Sequence, residues 1–265
     1  MTSRLDAALV ERGLARSRGQ AAAFIDSGVV TVGGRRVTKA SSQVSPDDEL
    51  QVTTPDHYVS RGAHKLIAAL DAFGVDPADR LALDAGASTG GFTQVLLERG
   101  ARQVLAVDVG HGQLAASLAV DARVRSFEGI NVRDLDRGAL AAMTEAATLP
   151  DLIVADLSFI PLRLVLPALV AVSAPATDLI VLIKPQFEVG RLGVKEGVVR
   201  DLGLRIDAIS RVLWAAWDLG LGTAAVIPSP IVGGAGNREF LAHLRADADS
   251  PSDLLREAIT PLFVT

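Results

Sequence analysis

Four charged residues each follow an apolar run of the sequence. Asp84 ends LALD, Asp108 ends LAVD, Asp156 ends LIVAD and Lys184 ends LIVLIK. Apolar runs of this length predict buried strands, and parallel sheets bind ligands at the carboxyl ends of their strands. We therefore expect these three carboxylates and one amine to lie at one edge of a sheet. There the amine can take up a proton, while the carboxylates orient it and bind hydroxyl groups.

Lysine is scarce in this chain, which makes Lys184 a candidate base. An amine can lose its proton and act as a base, whereas a guanidinium stays protonated. Asp156 and Lys184 could instead be solvated strand ends, but the aromatic residues that soon follow, Phe159 and Phe187, favour a site. Only four of the 26 basic residues are lysine, namely Lys39, Lys65, Lys184 and Lys195.

The segment LALDAGASTGGFT, residues 81–93, predicts a strand, a Gly-rich turn and a helix start. Glycines let the backbone approach a ligand closely, and the helix start offers free N–H groups. The G-x-x-x-G-G spacing of Gly86, Gly90 and Gly91 differs from the dinucleotide fingerprint G-x-G-x-x-G. It resembles the first motif of S-adenosylmethionine (SAM) methyltransferases. Asp108 lies about where doubly wound folds place a ribose-binding carboxylate. A tight turn in an unrelated α/β domain is the alternative.

The sequence also restricts the methyl acceptor. Pyrimidine C5 methylation normally needs a cysteine nucleophile, and the chain has no cysteine. Enzymes that methylate exocyclic base nitrogens usually carry a D/N-P-P-Y/F motif, where this chain has DLSF. A ribose hydroxyl is a different acceptor, because its proton must be removed while the methyl group is attacked in line. A lysine in its free-amine form can do this.

Two further residues complete a resemblance to the FtsJ-like RNA ribose 2′-O-methyltransferases. That group has a lysine before the first cofactor strand, an aspartate after the fourth strand, a lysine after the fifth and a glutamate in the last. The resemblance implies that Lys184 is the general base and that Asp156 holds Lys184 and SAM in register. It also implies that Lys65 and Glu239 position the ribose. Alternatively, those two are surface residues of a helix and a strand. The matches are Lys65 in SRGAHKL, Asp156 in VADLSF, Lys184 in LIKPQFE and Glu239 in GNREFL.

The whole chain resembles the TlyA family, through SRGAHKL, DAGASTGGFT, ADLSFI and KPQFEVG. That family is described as bacterial rRNA cytidine-2′-O-methyltransferases that act on small- and large-subunit RNA, and it also carries a haemolysin label. The resemblance implies rRNA or ribosomal subunits as partners and SAM as cofactor. The implied cofactor residues are Asp84, Gly86, Ser88, Gly90 and Gly91 in the turn, Asp108 at the ribose, and Phe92 and Asn131 in the cofactor wall.

The first fifty residues form a basic module. Residues 1–39 carry seven basic and three acidic side chains, a net charge of +4, which leaves −9 for the rest of a chain of net charge −5. RLDAALVERGLARSRGQAAAFIDSGVVTVGGRRV resembles the small RNA-binding fold of ribosomal small-subunit protein S-four, pseudouridine synthases and tyrosyl-tRNA synthetases. A solvated basic face is the alternative. The residues that this resemblance places against RNA phosphates are Arg4, Arg16, Arg18, Arg35 and Arg36.

Hydrophobic periodicity predicts an α+β module over 1–53, a linker over 54–60 and an α/β domain over 61–265. In the α/β domain, strands alternate with helices, which predicts a mostly parallel sheet with helices on both faces. An antiparallel last strand then closes a seven-stranded sheet that resembles the class I, Rossmann-like methyltransferase fold. The predicted strands are 81–83, 103–107, 123–127, 151–155, 178–183, 223–228 and 239–244, and the predicted helices are 62–73, 91–99, 112–120, 136–147, 160–172, 202–219 and 253–259.

Composition excludes other classes of protein. The longest apolar stretches fall short of the roughly 20 residues that span a bilayer, and no signal peptide precedes them, so we expect a cytoplasmic protein. Histidines and carboxylates lack metal-ligand spacing, so we expect no metal. A membrane-active cytolysin is one alternative, but it needs a long apolar span or an exposed amphipathic helix. An RNA-binding protein that has lost catalysis is another alternative. The intact tetrad of Lys65, Asp156, Lys184 and Glu239 and the intact Gly-rich turn favour an enzyme.

Overall fold

The chain divides into two compact units, Met1–His57 and Tyr58–Thr265. A computed structural model describes residues 2–15, 17–26, 28–52, 57–144, 148–190, 193–194, 196–233 and 236–249. The predicted helix 253–259 and residues 54–56 of the predicted linker therefore lie outside the described residues. Each unit contains an apolar core of its own.

The N-terminal unit is the α+β module that the sequence predicts. Leu5, Leu9, Ile25 and Val30 are fully buried in its core. A hairpin forms around Gly33 and Gly34, and its first strand, Val30–Val32, lies between Arg35–Arg36 and Leu50–Val52 in an antiparallel sheet. Its elements are β1 (Ser3–Arg4), α1 (Leu5–Glu11), α2 (Arg18–Asp26), β2 (Val30–Val32), β3 (Arg35–Arg36), β4 (Gln43–Val44) and β5 (Leu50–Val52).

The C-terminal unit contains a seven-stranded sheet in the part of the chain that is described, with helices between the successive strands up to the second-last one. Its strands are β6 (Leu81–Ala85), β7 (Gln103–Asp108), β8 (Val124–Glu128), β9 (Leu152–Ala155), β10 (Asp178–Ile183), β11 (Gly222–Pro228) and β12 (Phe240–Arg245). Its helices are α3 (Gly62–Phe73), α4 (Gly91–Glu98), α5 (Ala116–Ala119), α6 (Arg137–Thr144), α7 (Leu166–Ala171), α8 (Pro185–Glu188) and α9 (Leu202–Trp217).

The strand order β11-β12-β10-β9-β6-β7-β8 confirms the predicted topology. Neighbouring strands from β10 through β8 pair in parallel, whereas β12 pairs antiparallel with both β10 and β11. The central strands β6, β9 and β10 are buried almost throughout, as expected for a sheet covered on both faces. Asp84, Asp108, Asp156 and Lys184 therefore reach the same edge.

Two predicted helices are shorter than expected, for different reasons. The helix predicted over 112–120 is reduced to α5, because the backbone before it is not helical: Gly112 has φ +63°, and Ala115 has φ −57° and ψ 136°. The helix predicted over 160–172 becomes a 3₁₀ turn, Leu162–Leu164, followed by α7. Pro167 lies in the first turn of α7, where its missing N–H is tolerated.

Helix α9 packs one face against the sheet and leaves two aromatic side chains near solvent. Ala208, Ile209 and Val212 are fully buried on its inner face. Trp214 and Trp217 are 40% and 41% exposed.

Candidate active site

Two lysines and two carboxylates form a connected cluster at the carboxyl edge of the sheet. Lys184 Nζ lies 2.6 Å from Asp156 Oδ1, and Lys65 Nζ lies 3.8 Å from Asp156 Oδ2. Lys65 also donates a 2.7 Å hydrogen bond to Glu239 Oε2. Both lysines are buried, so each charge needs a partner of opposite charge. The structure thus brings together the four residues that the sequence predicts as a tetrad.

The sheet topology explains this convergence. Asp156 and Lys184 leave β9 and β10 at neighbouring positions, because these strands pair in parallel. Glu239 precedes β12, whose first residue, Phe240, pairs with Ile183 at the end of β10. Because β12 is antiparallel, its start lies where its neighbours end. Lys65 reaches the same place from the first turns of α3.

A cavity of about 310 Å³ opens in front of this cluster. Lys65, Asp156 and Lys184 line it, together with Ser60 and Ser158. Glu239 lies behind Lys65, is 3% exposed and lines an adjoining cavity of about 320 Å³ instead. We call the cavity that the two lysines line the reaction cavity.

A second cavity, of about 450 Å³, continues from the reaction cavity along the ends of β6 and β7. The two cavities share Gly86, Ser88, Asp156 and Ser158. A group bound in one can therefore meet a group bound in the other. The second cavity, called the cofactor cavity below, is also lined by Asp108, Val109, Gln113, Ile130, Asn131, Val132, Leu157, Phe159, Ile160 and Val165.

Asp108 is held rigidly at the cofactor cavity. Its two carboxylate oxygens accept backbone N–H groups from Ser88, at 2.8 Å, and from Gly110, at 2.7 Å. Each oxygen retains a further lone pair, so the carboxylate can still accept hydrogen bonds from a ligand. Asn131, which also lines this cavity, is itself fixed because its side-chain oxygen accepts the Arg133 N–H at 3.1 Å.

Asp84 lies beneath the Gly-rich turn and not at a cavity surface. Its side chain is fully buried, and Thr93 donates a 2.6 Å hydrogen bond to its Oδ2. Burial raises the pKa of this carboxyl to about 7, and the neighbouring charges of Asp156 and Asp108 add to the effect. In this conformation Asp84 supports the turn that carries the other cofactor candidates.

The three glycines of the turn have different surroundings. Gly86 has φ +87°, and a Cβ there would lie 2.8 Å from the Asp156 carbonyl oxygen. Gly90 has φ +97° and packs against Leu118, outside the lining of both cavities. Gly91 lines the reaction cavity, as does the predicted cofactor residue Phe92, which is 4% exposed.

Three residues at the cavities and one buried residue of α8 escape prediction from the sequence. Ser158 accepts a 2.9 Å hydrogen bond from Lys184, and Gln113 accepts one of 3.0 Å from Ser88. Ser60 lines the reaction cavity. Glu188 is buried and accepts the Leu162 N–H at 2.7 Å. Only Glu188 carries a sequence signal, as a charge within KPQFEVG; the other three are small or polar loop residues without a distinctive spacing.

In the N-terminal unit, two of the predicted RNA-binding arginines share a carboxylate. Arg4 donates to both oxygens of Asp6, at 3.0 and 3.1 Å, and Arg18 donates to Oδ2 at 2.9 Å. The hydrogen bonds from Arg4 hold the pKa of Asp6 well below its usual range. Arg35 and Arg36 are exposed on β3, and Arg16 lies outside the described residues.

Fold and site together define a class I, Rossmann-like methyltransferase with a separate small N-terminal unit. Residues 58–246 match the family model described as FtsJ-like methyltransferase, and residues 3–50 match the S4 domain. The chain belongs to the FtsJ-like methyltransferases and, within them, to the TlyA family, as its relatives show.

Three relatives illustrate this membership. A Mycobacterium tuberculosis protein named 16S/23S rRNA (cytidine-2′-O)-methyltransferase TlyA is 48% identical over 93% of this chain and 91% of its own length. Hemolysin A of Brachyspira hyodysenteriae is 37% identical over 91% of this chain and 98% of its own. A solved structure from Streptococcus thermophilus that carries a hemolysin label has a TM-score of 0.75 and 37% identity, covering 98% and 95% of the two chains.

Two features of the described residues concern membranes and metals. In that part of the chain, no helix combines the length and the apolar character needed to cross a bilayer. The same residues contain no group of three or more His, Cys, Asp or Glu side chains arranged to hold a metal ion.

Proposed function

We propose that the chain transfers a methyl group from SAM to the 2′-hydroxyl of cytidine in ribosomal RNA. The observation that carries this proposal is the buried Lys65–Asp156–Lys184 arrangement, with Glu239 behind Lys65, at a cavity that adjoins a cofactor-sized one. The choice of cytidine and of rRNA rests on the names of the TlyA relatives.

The cofactor cavity fits SAM in size and chemistry. Its volume of about 450 Å³ lies within the usual range of about 300–1,000 Å³ for pockets of small ligands. Asp108 offers a fixed carboxylate for ribose hydroxyls, while Val109, Ile130 and Val132 form an apolar wall for a flat base. Gly86 and Ser88 line both cavities, so we place the methionine end of SAM beside them. When bound, SAM supplies a methyl group on a positively charged sulfur.

Lys184 is the proposed general base. Its amine lines the reaction cavity and lies beside residues that also line the cofactor cavity. In its neutral form it accepts the proton of the ribose 2′-hydroxyl while the oxygen forms its new bond to carbon. Proton removal at this atom prevents a positive charge from building up on the ribose oxygen.

The other three residues of the cluster support that step. Asp156 contacts both amines and can hold Lys184 close to the shared boundary of the two cavities. Lys65 lines the reaction cavity and is assigned to the ribose. Glu239 acts as a positioning residue, because its 2.7 Å contact is with the Lys65 amine. This refines the expectation that Lys65 and Glu239 position the ribose, because Glu239 would act through Lys65.

The N-terminal unit is the proposed RNA-binding part. Its S4-domain match and its basic excess support binding to phosphates. Asp6 holds Arg4 and Arg18 near each other, so both guanidinium groups are available in a fixed arrangement. Because ribosomal RNA is the proposed substrate, the expected cytoplasmic location and the ribosomal subunits as partners are part of the same proposal.

Methylation in vitro tests this function. The full chain is incubated with labelled SAM and either naked rRNA or ribosomal subunits, and reverse-transcription stops then map 2′-O-methylated riboses. We expect label in rRNA and stops at cytidines, with both lost in Lys184→Arg. Label on base atoms would refute the proposal, whereas transfer that survives equally in Lys184→Arg would remove Lys184 as the base.

A further inference from the structure

We infer that Ser158 is a positioning residue that sets the direction in which Lys184 accepts the ribose proton. The inference rests on the proposed role of Lys184 as the base. Ser158 Oγ accepts a 2.9 Å hydrogen bond from Lys184 Nζ. Ser158 also lines both the reaction cavity and the cofactor cavity, so this bond lies at the boundary between them.

The two contacts of the Lys184 amine differ in kind. Asp156 Oδ1 forms a 2.6 Å ion pair with Nζ. Ser158 Oγ is an uncharged acceptor of a hydrogen bond from the same amine, at 2.9 Å. Attraction to Asp156 fixes where the charged amine lies, whereas the bond to Ser158 fixes how it is rotated.

Rotation matters because a neutral amine has one lone pair and two N–H bonds. With one N–H directed to Ser158, the lone pair occupies one of the two remaining positions on Nζ, from which it can face the ribose hydroxyl. In the reaction the hydroxyl proton moves to Nζ, the oxygen–methyl bond forms and the sulfur–methyl bond breaks. The products are the 2′-O-methyl ribose, the demethylated cofactor and a protonated Lys184. The charge attraction of Asp156 is weaker for a neutral amine, but Ser158 still accepts its hydrogen bond.

The loop that carries Ser158 is held at both ends. On one side, the Asp156 N–H donates to the Ala85 carbonyl of β6 at 3.1 Å. On the other, Glu188 of α8 accepts the Leu162 N–H at 2.7 Å. Glu188 follows Lys184 by four residues, so the base and the loop opposite it are tied to the same short helix.

The backbone next to Ser158 is strained, which indicates that its position is imposed by the surroundings. Phe159 has φ +67°, a left-handed conformation that is unfavourable for a residue other than glycine. This conformation leaves the Phe159 side chain 91% exposed while Ser158 points to Lys184. Strain of this kind persists at functional sites where neighbouring contacts fix the loop.

Ser158→Ala and Ser158→Thr test the inference in the full chain. The alanine variant loses the acceptor, and we expect kcat at saturating SAM to fall on the order of 10- to 100-fold. Its SAM affinity and its KM for rRNA should stay within about threefold of the wild type, and its denaturation midpoint should be nearly unchanged. The threonine variant keeps the hydroxyl and should recover most of kcat.

The outcomes separate this inference from the proposed function. An inactive wild-type chain overturns both. An active wild type with an unimpaired alanine variant overturns the inference alone. So do equal losses in the alanine and threonine variants, or a loss of SAM affinity that accounts for the loss of rate. A fall in kcat alone that threonine reverses supports the inference.

Discussion

At the scale of single residues, Lys184 allows the sharpest test. Lys184→Arg keeps the positive charge beside Asp156 but cannot supply a free amine at working pH. We expect the methylation rate to fall on the order of 10²- to 10⁴-fold, the usual effect of losing a general base. Affinity for SAM should change little, since the cofactor cavity is lined by other residues.

The matched control for this substitution is Asp108→Ala. It removes the carboxylate at the cofactor cavity and leaves the lysines in place. Equilibrium binding should therefore show weakened SAM affinity for this variant and nearly normal affinity for Lys184→Arg. Near-normal turnover in Lys184→Arg would mean that Asp156 or water, and not Lys184, accepts the ribose proton.

Asp84 gives a prediction about pH and stability. Because burial raises its pKa from 3.8 to about 7, the folded state holds this proton more tightly than the unfolded state does. The resulting stabilisation is complete below pH 3.8, decreases as the pH rises from there, and is lost once the pH passes through the folded pKa of about 7. Each unit of difference between the two pKa values corresponds to about 1.4 kcal/mol of stability. Asp84→Asn cannot lose a proton, so it should lack this component.

Denaturant titrations of both proteins between about pH 5 and pH 8 measure the difference. The free energy of unfolding of the wild type should fall relative to that of Asp84→Asn as the pH rises. A constant difference across this range would show that Asp84 is not a neutral buried acid.

At the scale of elements, the Gly-rich turn depends on Gly86, where a residue with a Cβ would be both left-handed and too close to Asp156. Gly74 is left-handed without the close contact, so it separates the two effects. In Gly86→Ala, a left-handed residue gains a Cβ that meets the Asp156 carbonyl. Gly74 ends α3 with φ +65° and has nothing within 4 Å of its missing Cβ. Gly74→Ala should therefore cost only the backbone strain, on the order of 1 kcal/mol.

We expect Gly86→Ala to lose about 1–3 kcal/mol more than Gly74→Ala in free energy of unfolding. It should also lose SAM affinity and methylation, because a displaced Asp156 affects both cavities. Equal costs for the two variants would mean that the turn tolerates a Cβ.

The elements were largely predictable, and the contacts between loops were not. Strong periodicity located α3, β6, β7 and β10 within a few residues, and strand ends placed Asp156 and Lys184 at one edge. The Ser158–Lys184 hydrogen bond and the Glu188–Leu162 anchor each join residues 26 apart in the sequence. Such contacts depend on how the loops pack, and side-chain type alone does not encode that. The burial of Asp84 was missed for the same reason.

At the scale of the whole molecule, the two units should divide affinity and chemistry. The N-terminal unit has its own core, and all residues of both cavities lie beyond residue 57. A chain that begins at Tyr58 should bind SAM but fail to methylate rRNA. Binding titrations and the labelling assay measure both properties, and full activity of the shortened chain would remove the proposed role of the N-terminal unit.

Salt should affect the two activities differently. Contacts between arginines and phosphates release counterions, so the logarithm of RNA affinity should fall linearly with the logarithm of salt concentration. SAM binding should respond far less, because it involves few charges. An RNA affinity that stays level between low and high salt would point to a partner other than nucleic acid.

The positions of the tryptophan and tyrosine residues mean that intrinsic fluorescence reports on the C-terminal unit alone. Both tryptophans of the chain lie on α9, and its one tyrosine is Tyr58, so the N-terminal unit contains neither chromophore. Because Trp214 and Trp217 are each partly covered, loss of the packing of α9 will shift their emission. Intrinsic emission therefore follows unfolding of the unit that contains both cavities, in the full chain and in the shortened one alike, without a contribution from residues 1–57.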